Sequence, residues 1–135
     1  MKLIQWNERL SVKINSIDEQ HKVLVDMIND FYEKINDKAP SALISDIIKK
    51  MKNYTVVHFS AEEKYFKQYN YPDSQTHINE HQDFVNKIID VEKRFNAGKM
   101  VLTLELTSFL KDWLIKHIQG TDKKYSNFLT QKGVR

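Results

Sequence analysis

The sequence predicts an all-α protein, an antiparallel up-down-up-down four-helix bundle with a non-helical N-terminal arm. The chain has only three glycines and two prolines in 135 residues, a composition that suits long helices better than turn-rich sheets. Apolar residues recur at helical spacing in four segments, and short breaks separate these segments. Helices joined by short loops favour antiparallel packing of sequential neighbours. We expect one domain over residues 1–135, because this length can bury a continuous core.

The first two predicted helices are separated by the break "NDKAPS", which contains Pro40. The first helix covers residues 16–35, and we expect it to begin with a capping box in which Ser16 pairs with Glu19. The second helix runs from about residue 41 to about residue 70, along one continuous apolar stripe. In the arm before the first helix, Trp6 is expected to pack back onto the bundle as an aromatic anchor.

The third and fourth predicted helices follow the breaks "YPDS" and "NAGK". Asp73 or Ser74 is placed to cap the third helix, whose stripe continues to Phe95. The fourth helix carries apolar residues from Leu102 onward, and we expect Gly120 to interrupt it. Four sequential helices therefore account for most of the chain.

Composition and charge narrow the classes of function. The net charge is +3, but basic and acidic residues alternate along most of the chain, so no basic stripe for nucleic acid forms. No segment has the apolar length to cross a membrane or the apolar core of a signal peptide, so we expect a cytoplasmic protein without membrane insertion. The chain has no phosphate-binding glycine loop and no nucleophile-elbow serine, which leaves hydrolase function without support.

Histidines occupy the inward stripes of the predicted helices. The segment "HINEH" places His77 and His81 four residues apart, a spacing that brings both imidazoles onto one helix face. An isolated pair of this kind is more often an ordinary surface pair, and a lone core histidine is usually satisfied by a carbonyl or hydroxyl. In this chain His58 and His117 also lie on apolar stripes, and His21 lies near the start of the first helix. Five such histidines favour a common partner.

Two carboxylates join the same region of the predicted bundle. Glu62 lies four residues after His58, and Asp122 follows His117 closely. Burial of ionised carboxylates among imidazoles is costly unless a cation compensates them, so a metal site is favoured over a metal-free bundle. Because the chain has no cysteine, its metal ligands must be nitrogen and oxygen atoms.

Four motifs resemble those of the bacterial hemerythrins, helical-bundle proteins that bind dioxygen at a non-haem di-iron centre. The motifs are "IDEQH" at 17–21, "HFSAEE" at 58–63, "YPDSQTHINEH" at 71–81 and "WLIKHIQGTD" at 113–122, and together they span nearly the whole chain. The resemblance implies two iron ions joined by an oxo or hydroxo bridge. The ligands that it implies are His21, His58, Glu62, His77, His81, His117 and Asp122.

The resemblance also implies how these ligands are shared. Glu62 and Asp122 would each bridge the irons. The histidines of the third and fourth helices would complete the coordination of one iron. His21 and His58 would bind the other iron and leave one of its coordination positions open for dioxygen. The expected function is reversible dioxygen binding for carriage, storage or local delivery, without enzymatic turnover. Small departures from the family occur at Lys13, where many members have glycine, and at Phe66, where methionine is frequent.

Apolar side chains are expected to shield the dioxygen site. Helical spacing places them next to the histidines, and the family's pocket matches these positions, although they can equally serve as bundle core. The residues are Leu24, Phe59, Trp113, Leu114 and Ile118.

The same di-iron centre is also compatible with functions other than oxygen carriage. A di-iron enzyme, such as a peroxidase, an oxidase or an NO-handling catalyst, is the main alternative, and oxygen or iron sensing is another. Iron storage is disfavoured because the chain lacks the Glu-x-x-His motif of ferritin-like sites. Manganese or zinc can also occupy nitrogen and oxygen ligands. We expect a monomeric, stand-alone domain, and the sequence does not identify a recipient protein for the oxygen.

The fourth helix poses a geometric problem, because His117 and Asp122 are five residues apart. A regular helix places such residues about 140° apart. We therefore predict that the helix widens into a π-like turn or changes course around residues 118–121, eased by Gly120. Asp18, three residues before His21, is interpreted as a helix-dipole or outer-shell residue and not as a ligand.

Overall fold

The structure is a computed structural model that describes residues 3–98 and 104–135, apart from the side chains of residues 104–106 and 108. Every regular element in the described ranges is helical, and α2 packs against both α1 and α3 while α1 packs against α4. The predicted antiparallel four-helix bundle is confirmed. The elements are a 3₁₀ turn Glu8–Leu10, α1 Asn15–Asn36, α2 Ser41–Tyr69, α3 Ser74–Asn96, α4 Leu104–Lys116, a π-helical turn His117–Asp122, and α5 Lys123–Gln131.

The N-terminal arm is attached to α1 at several points. The Ile4 N–H donates to Asn29 Oδ1 at 2.7 Å, and the Asn29 side-chain amide donates back to the Ile4 carbonyl at 2.8 Å. Asp18 accepts hydrogen bonds from the Ser11 hydroxyl at 2.6 Å and from the Val12 N–H at 2.8 Å. Asp18 therefore fixes the arm from the first turn of α1, where a negative charge also suits the helix dipole.

One detail of the N-terminal arm differs from the sequence prediction, and another confirms it. The arm is not wholly non-helical, since Glu8–Leu10 forms a short 3₁₀ turn that Asn7 caps by accepting from the Arg9 N–H. Trp6 is half-buried and packs against the core, as predicted, with the Lys22 ammonium 5.4 Å from its ring centre.

The side-chain caps predicted for α1 and α3 are wrong. Helix α1 begins at Asn15 with Ile14 in the N-cap position and no side-chain cap, so Ser16 and Glu19 lie inside the helix and form no capping box. Asp18 anchors the arm just before the helix, and the helix starts earlier than the sequence pattern indicated. Asp73 does occupy the N-cap of α3, but its φ of −94° and ψ of 20° depart from the extended backbone typical of a side-chain cap.

The fourth helix of the bundle continues past Gly120, so the predicted interruption at this residue is wrong. The π-helical turn covers His117–Asp122 and passes directly into α5, which extends to Gln131. The predicted π-like geometry is thus confirmed, whereas the role assigned to glycine is not needed. The φ of Gly120 is not positive, and a Cβ added there would meet no atom within 4 Å. Leu102, named in the predicted fourth helix, lies outside the described residues.

The core lies along the bundle axis and extends beyond the π-helical turn into α5. Its largest fully buried side chains include Phe31, Phe84 and Tyr125. Among the described helices, none is both long enough and apolar enough to cross a membrane. The core surrounds a group of buried polar side chains.

Candidate metal centre

Seven polar side chains meet in the core of the bundle. They come from α1, α2, α3 and the π-helical turn, and none is more than 3% exposed. Regular helical spacing aligns the pair on α2 and the pair on α3, each with its members four residues apart. The structure thus brings together all of the residues predicted from the sequence as ligands: His21, His58, Glu62, His77, His81, His117 and Asp122.

The π-helical turn aligns the remaining pair. Because its hydrogen bonds join residues five apart, it places residues five apart on one side, which a regular α-helix does not. His117 and Asp122 occupy its first and last positions. As a result, His117 Nε2 lies 3.1 Å from Asp122 Oδ1.

All five imidazoles direct Nε2 toward the two carboxylates. Asp122 Oδ1 lies near His77 and His117, and Asp122 Oδ2 lies near His21. Glu62 Oε1 lies near His58 and His81. The Nε2-to-oxygen distances are 2.8 Å for His77, 3.1 Å for His117, 3.2 Å for His21, 3.1 Å for His58 and 3.3 Å for His81.

The cluster divides into two overlapping groups. One contains the three histidines of α3 and the π-helical turn with both carboxylates, and the other contains His21, His58 and Glu62. Within each group the possible ligand atoms lie within 4.8 Å of one another. Glu62 belongs to both groups, and Asp122 reaches from the first group to His21 through its second oxygen. This division matches the three-plus-two distribution of histidines that the resemblance implies.

Several atoms inside the cluster need a partner. Among the described residues, Glu62 Oε1, His81 Nε2 and both carboxylate oxygens of Asp122 are buried without a hydrogen bond, although other polar atoms are close. Buried carboxylate oxygens without a partner are costly, and a cation held between them and the imidazole nitrogens would satisfy them. The residues present therefore fit a metal site.

The carboxylates and imidazoles of the cluster shift one another's pKa values in opposite directions. Burial alone raises the pKa of Asp122, but the facing imidazoles, His117 above all, outweigh burial and bring the pKa well below its ordinary value. The pKa of Glu62 is also lowered, since His58 and His81 outweigh burial and the neighbouring carboxylate. Burial lowers the pKa of His117, but the opposite effect of Asp122 and Glu80 is larger and raises this pKa to about 10. These contacts thus favour the charged forms of the two carboxylates and of His117.

Three histidines also make hydrogen-bond contacts at Nδ1, away from the cluster. His81 Nδ1 lies 3.0 Å from Glu63 Oε2, and His117 Nδ1 lies 3.0 Å from Glu80 Oε1. Because a carboxylate only accepts, these contacts put the ring proton on Nδ1 and leave Nε2 free to bind a metal.

The third outward contact has a neutral partner, because His58 Nδ1 lies 2.6 Å from the amide oxygen of Gln20. Sequence reasoning missed Gln20, Glu63 and Glu80. The two glutamates lie inside the quoted motifs "HFSAEE" and "HINEH", where their position next to a ligand was the available signal.

Tyr125 and Thr121 were also missed. The Tyr125 hydroxyl donates to Glu62 Oε2, the carboxylate oxygen that does not face His58, and Tyr125 is fully buried. The Thr121 hydroxyl, within the π-helical turn, lies 2.8 Å and 3.0 Å from the two carboxylate oxygens of Glu80. Both residues lie after Gly120, where the sequence had indicated an interruption of the helix, so nothing suggested that they approach the cluster.

The five apolar residues predicted around the dioxygen site all pack in the core. Leu24, Leu114 and Ile118 are buried, each with 2% exposure or less. The Phe59 ring stacks on His81 with 3.8 Å between ring centres, and the half-buried Trp113 stacks on His117 at 4.5 Å. Trp113 therefore lies against the three-histidine group, whereas Phe59 lies beside both groups, since its ring centre is also 5.6 Å from that of His58. Contact of any of the five with dioxygen stays a prediction.

Comparisons with known proteins agree with the fold and the cluster. Residues 12–129 match the family model described as the hemerythrin HHE cation binding domain. The chain is 33% identical over 134 residues to bacteriohemerythrin from Methylococcus capsulatus, an alignment that covers 96% of this chain and 99% of that protein. It is 35% identical over 124 residues to the hemerythrin-like protein of Naegleria gruberi, with 92% of both chains covered.

A solved structure also resembles this chain in its fold. The crystal structure of a wild-type hemerythrin superposes with a TM-score of 0.88 at 29% identity, covering 93% of this chain and 96% of that one. The fold and the buried cluster define a helical-bundle protein whose core holds histidine and carboxylate side chains in an arrangement that fits a metal ion. Within that class, the chain belongs to the hemerythrin family.

Proposed function

We propose that this protein binds dioxygen reversibly at a non-haem di-iron centre, for carriage, storage or local delivery. The observation that supports the proposal most directly is the buried cluster of five imidazoles and two carboxylates, with carboxylate oxygens that lack partners among the described residues. Family membership supports the same function, since the relatives compared above are named bacteriohemerythrin and hemerythrin-like protein.

The geometry suggests how two irons would be held. His77, His81 and His117 would bind one iron, and His21 and His58 would bind the other. Glu62 and Asp122 would bridge them, because each carboxylate lies within 3.3 Å of histidines from both groups. When bound, the pair of irons supplies the electrons for reversible dioxygen binding at the iron with fewer ligands.

The chain itself provides the protected environment. The cluster is buried, so bulk water and anions have restricted access to it. Leu24, Leu114 and Ile118 fill the core beside the histidines, and we assign them the role of admitting dioxygen while excluding water. The Tyr125 hydroxyl fixes one oxygen of Glu62 and leaves the other directed at the histidines.

The test is iron loading followed by rapid mixing with dioxygen. We expect two irons per chain and a visible absorption band that persists under dioxygen and disappears on deoxygenation. Retention of only one iron per chain at saturation would contradict the di-iron centre. Rapid decay of the band to the ferric form, with catalytic consumption of an added reductant or peroxide, would replace oxygen carriage with the enzymatic alternative.

A further inference from the structure

The histidines of the two groups have different partners on their outward faces. In the three-histidine group, His81 and His117 each contact a carboxylate at 3.0 Å, from Glu63 and Glu80. In the two-histidine group, His58 contacts the neutral amide oxygen of Gln20. One histidine of each group, His77 and His21, has no hydrogen bond at Nδ1 among the described residues. The negative charge of the outer shell is therefore concentrated on one side of the cluster.

The two outer carboxylates are held in place by the fold. Glu63 directly follows the ligand Glu62 on α2, and its side chain crosses to α3 to reach His81. Glu80 crosses from α3 to the π-helical turn, where it also accepts from the Thr121 hydroxyl. Thr121 lies in the widened turn that aligns His117 with Asp122, so this turn positions an outer-shell contact as well as two ligands. Both glutamates are only half-buried, which reduces the cost of their charge.

A carboxylate behind a metal-binding imidazole has a known physical effect. It fixes the ring orientation and the tautomer, and by accepting the Nδ1 proton it increases the electron donation of Nε2 to the metal. A neutral amide oxygen fixes the ring but donates less, because charge-assisted hydrogen bonds are roughly twice as strong as neutral ones. Gln20 therefore orients His58 without the same electronic effect.

We propose that Glu63 and Glu80 are positioning residues that make the three-histidine position the tighter of two unequal metal sites, while Gln20 keeps the two-histidine position weaker and more easily reduced. This inference rests on the proposed function, because it assumes that the cluster binds two metal ions. What it adds is the role of the two outer carboxylates, by which the three-histidine position retains its metal and anchors the cluster.

The experiment compares charge-removing and charge-adding variants. Glu63→Gln and Glu80→Gln keep the side-chain shape and remove the charge, whereas Gln20→Glu adds a carboxylate behind His58. Glu33→Gln, at an exposed glutamate twelve residues beyond His21 on the same helix, is the matched control. The metal-free forms are first compared by urea unfolding, which separates loss of fold from loss of metal affinity.

Binding of Zn²⁺ is measured first, by competition with a chelator. In the parent we expect two binding steps. Glu63→Gln and Glu80→Gln should weaken the tighter step by about 10- to 100-fold, the usual range for outer-shell partners, and leave the weaker step nearly unchanged. Gln20→Glu should strengthen the weaker step. Equal affinities in the parent and all variants, or an equal shift in Glu33→Gln, would overturn the inference.

The reduction potential of the iron-loaded protein is the second measurement, since a merely structural role would not move it in opposite directions. Less donation destabilises ferric iron, so Glu63→Gln and Glu80→Gln should raise the potential and Gln20→Glu should lower it. A parent that binds Zn²⁺ but not iron would reject the proposed function alone. A parent that binds two irons, with variants that match it in affinity and potential, would reject the outer-shell inference alone.

Discussion

The proposed ligand pairs of the cluster come from two kinds of helix. On α2 and α3 the two ligands are four residues apart, and both helices stay regular through the site. On the fourth helix of the bundle the ligands His117 and Asp122 are five residues apart, and the backbone widens into a π-helical turn between them. The comparison shows that ligand spacing decides whether a helix can pass a shared site undistorted.

The irregular pair also makes the wider set of contacts. Asp122, at the end of the π-helical turn, lies near histidines from α1, α3 and its own turn. Glu62, on regular α2, lies near one histidine of its own helix and one of α3. The local distortion therefore places the Asp122 carboxylate beside three histidines, whereas Glu62 lies beside two histidines and the Tyr125 hydroxyl.

The largest expected effect is that of Asp122→Ala. Removal of this carboxylate should reduce iron from two per chain to less than one, because three histidines lose their shared oxygen partner. Glu62→Ala should retain more iron than Asp122→Ala at the same chelator concentration. The measurement is iron per chain after loading and exposure to the chelator, with Asp112→Ala, at an exposed position on α4, as the control. Equal retention in the two ligand variants would remove the distinction between the regular and the irregular pair.

The second prediction concerns pH. In the metal-free chain the pKa of His117 is about 10, because the facing Asp122 carboxylate outweighs the lowering effect of burial. A raised pKa stabilises the fold fully below the ordinary value of 6.5, and this stabilisation is lost as the pH rises toward 10. The free energy of unfolding of the metal-free protein should therefore fall across this range.

The iron-loaded protein should not show the same loss, since the metal takes over the charge of the imidazolium. Urea unfolding of both forms at several pH values between 6.5 and 10 provides the measurement, over the window set by the two His117 values. As a control, metal-free His117→Gln should show a smaller dependence on pH. A free energy of unfolding that does not change with pH in the metal-free parent would show that the pKa of His117 is not raised.

The third prediction compares a core residue near the irregular turn with one on a regular helix. Leu114 lies one turn before His117, and Ile88 lies two turns after His81, and both are 2% exposed. Leu114→Ala and Ile88→Ala should each lower the free energy of unfolding by about 2–5 kcal/mol. Only Leu114→Ala should also accelerate autoxidation, because it opens the proposed dioxygen pocket. The measurement is the decay of the oxygenated band at a temperature where both variants are folded. Equal decay rates would assign Leu114 to the core alone.

The smallest expected effect is that of Gly120→Ala, inside the π-helical turn. The added Cβ meets no atom within 4 Å, and the backbone at this residue does not have a positive φ. Alanine should therefore stabilise the protein by roughly 0.4–1 kcal/mol through a less flexible unfolded chain, with iron per chain unchanged. Thermal unfolding and iron analysis provide the check. A clear loss of stability or iron would restore the interpretation that glycine eases the turn.

Helix positions and ligands could be predicted because periodicity reports which face is buried. The stripes placed His58, His77, His81 and His117 inward, and the five-residue spacing to Asp122 predicted the π-helical turn. Helix ends were predicted less well. Ser16 is not the N-cap of α1, and Asp73 occupies the N-cap of α3 without a side-chain hydrogen bond, because the contacts of the arm and the local backbone decide how each helix begins.

The sequence by itself indicated which side chains form the cluster: helical spacing placed four histidines on the buried faces, and the resemblance of four motifs implied the full set. Only the tertiary structure decided how those ligands are supported. Gln20 and His58 are 38 residues apart, and Glu80 and His117 are 37 apart, so each contact depends on the packing of two different helices. Helical periodicity identifies the buried face but not which polar residue at its edge meets a neighbouring helix. For that reason the uneven charge of the outer shell, with carboxylates behind His81 and His117 and an amide behind His58, became visible only in the folded protein.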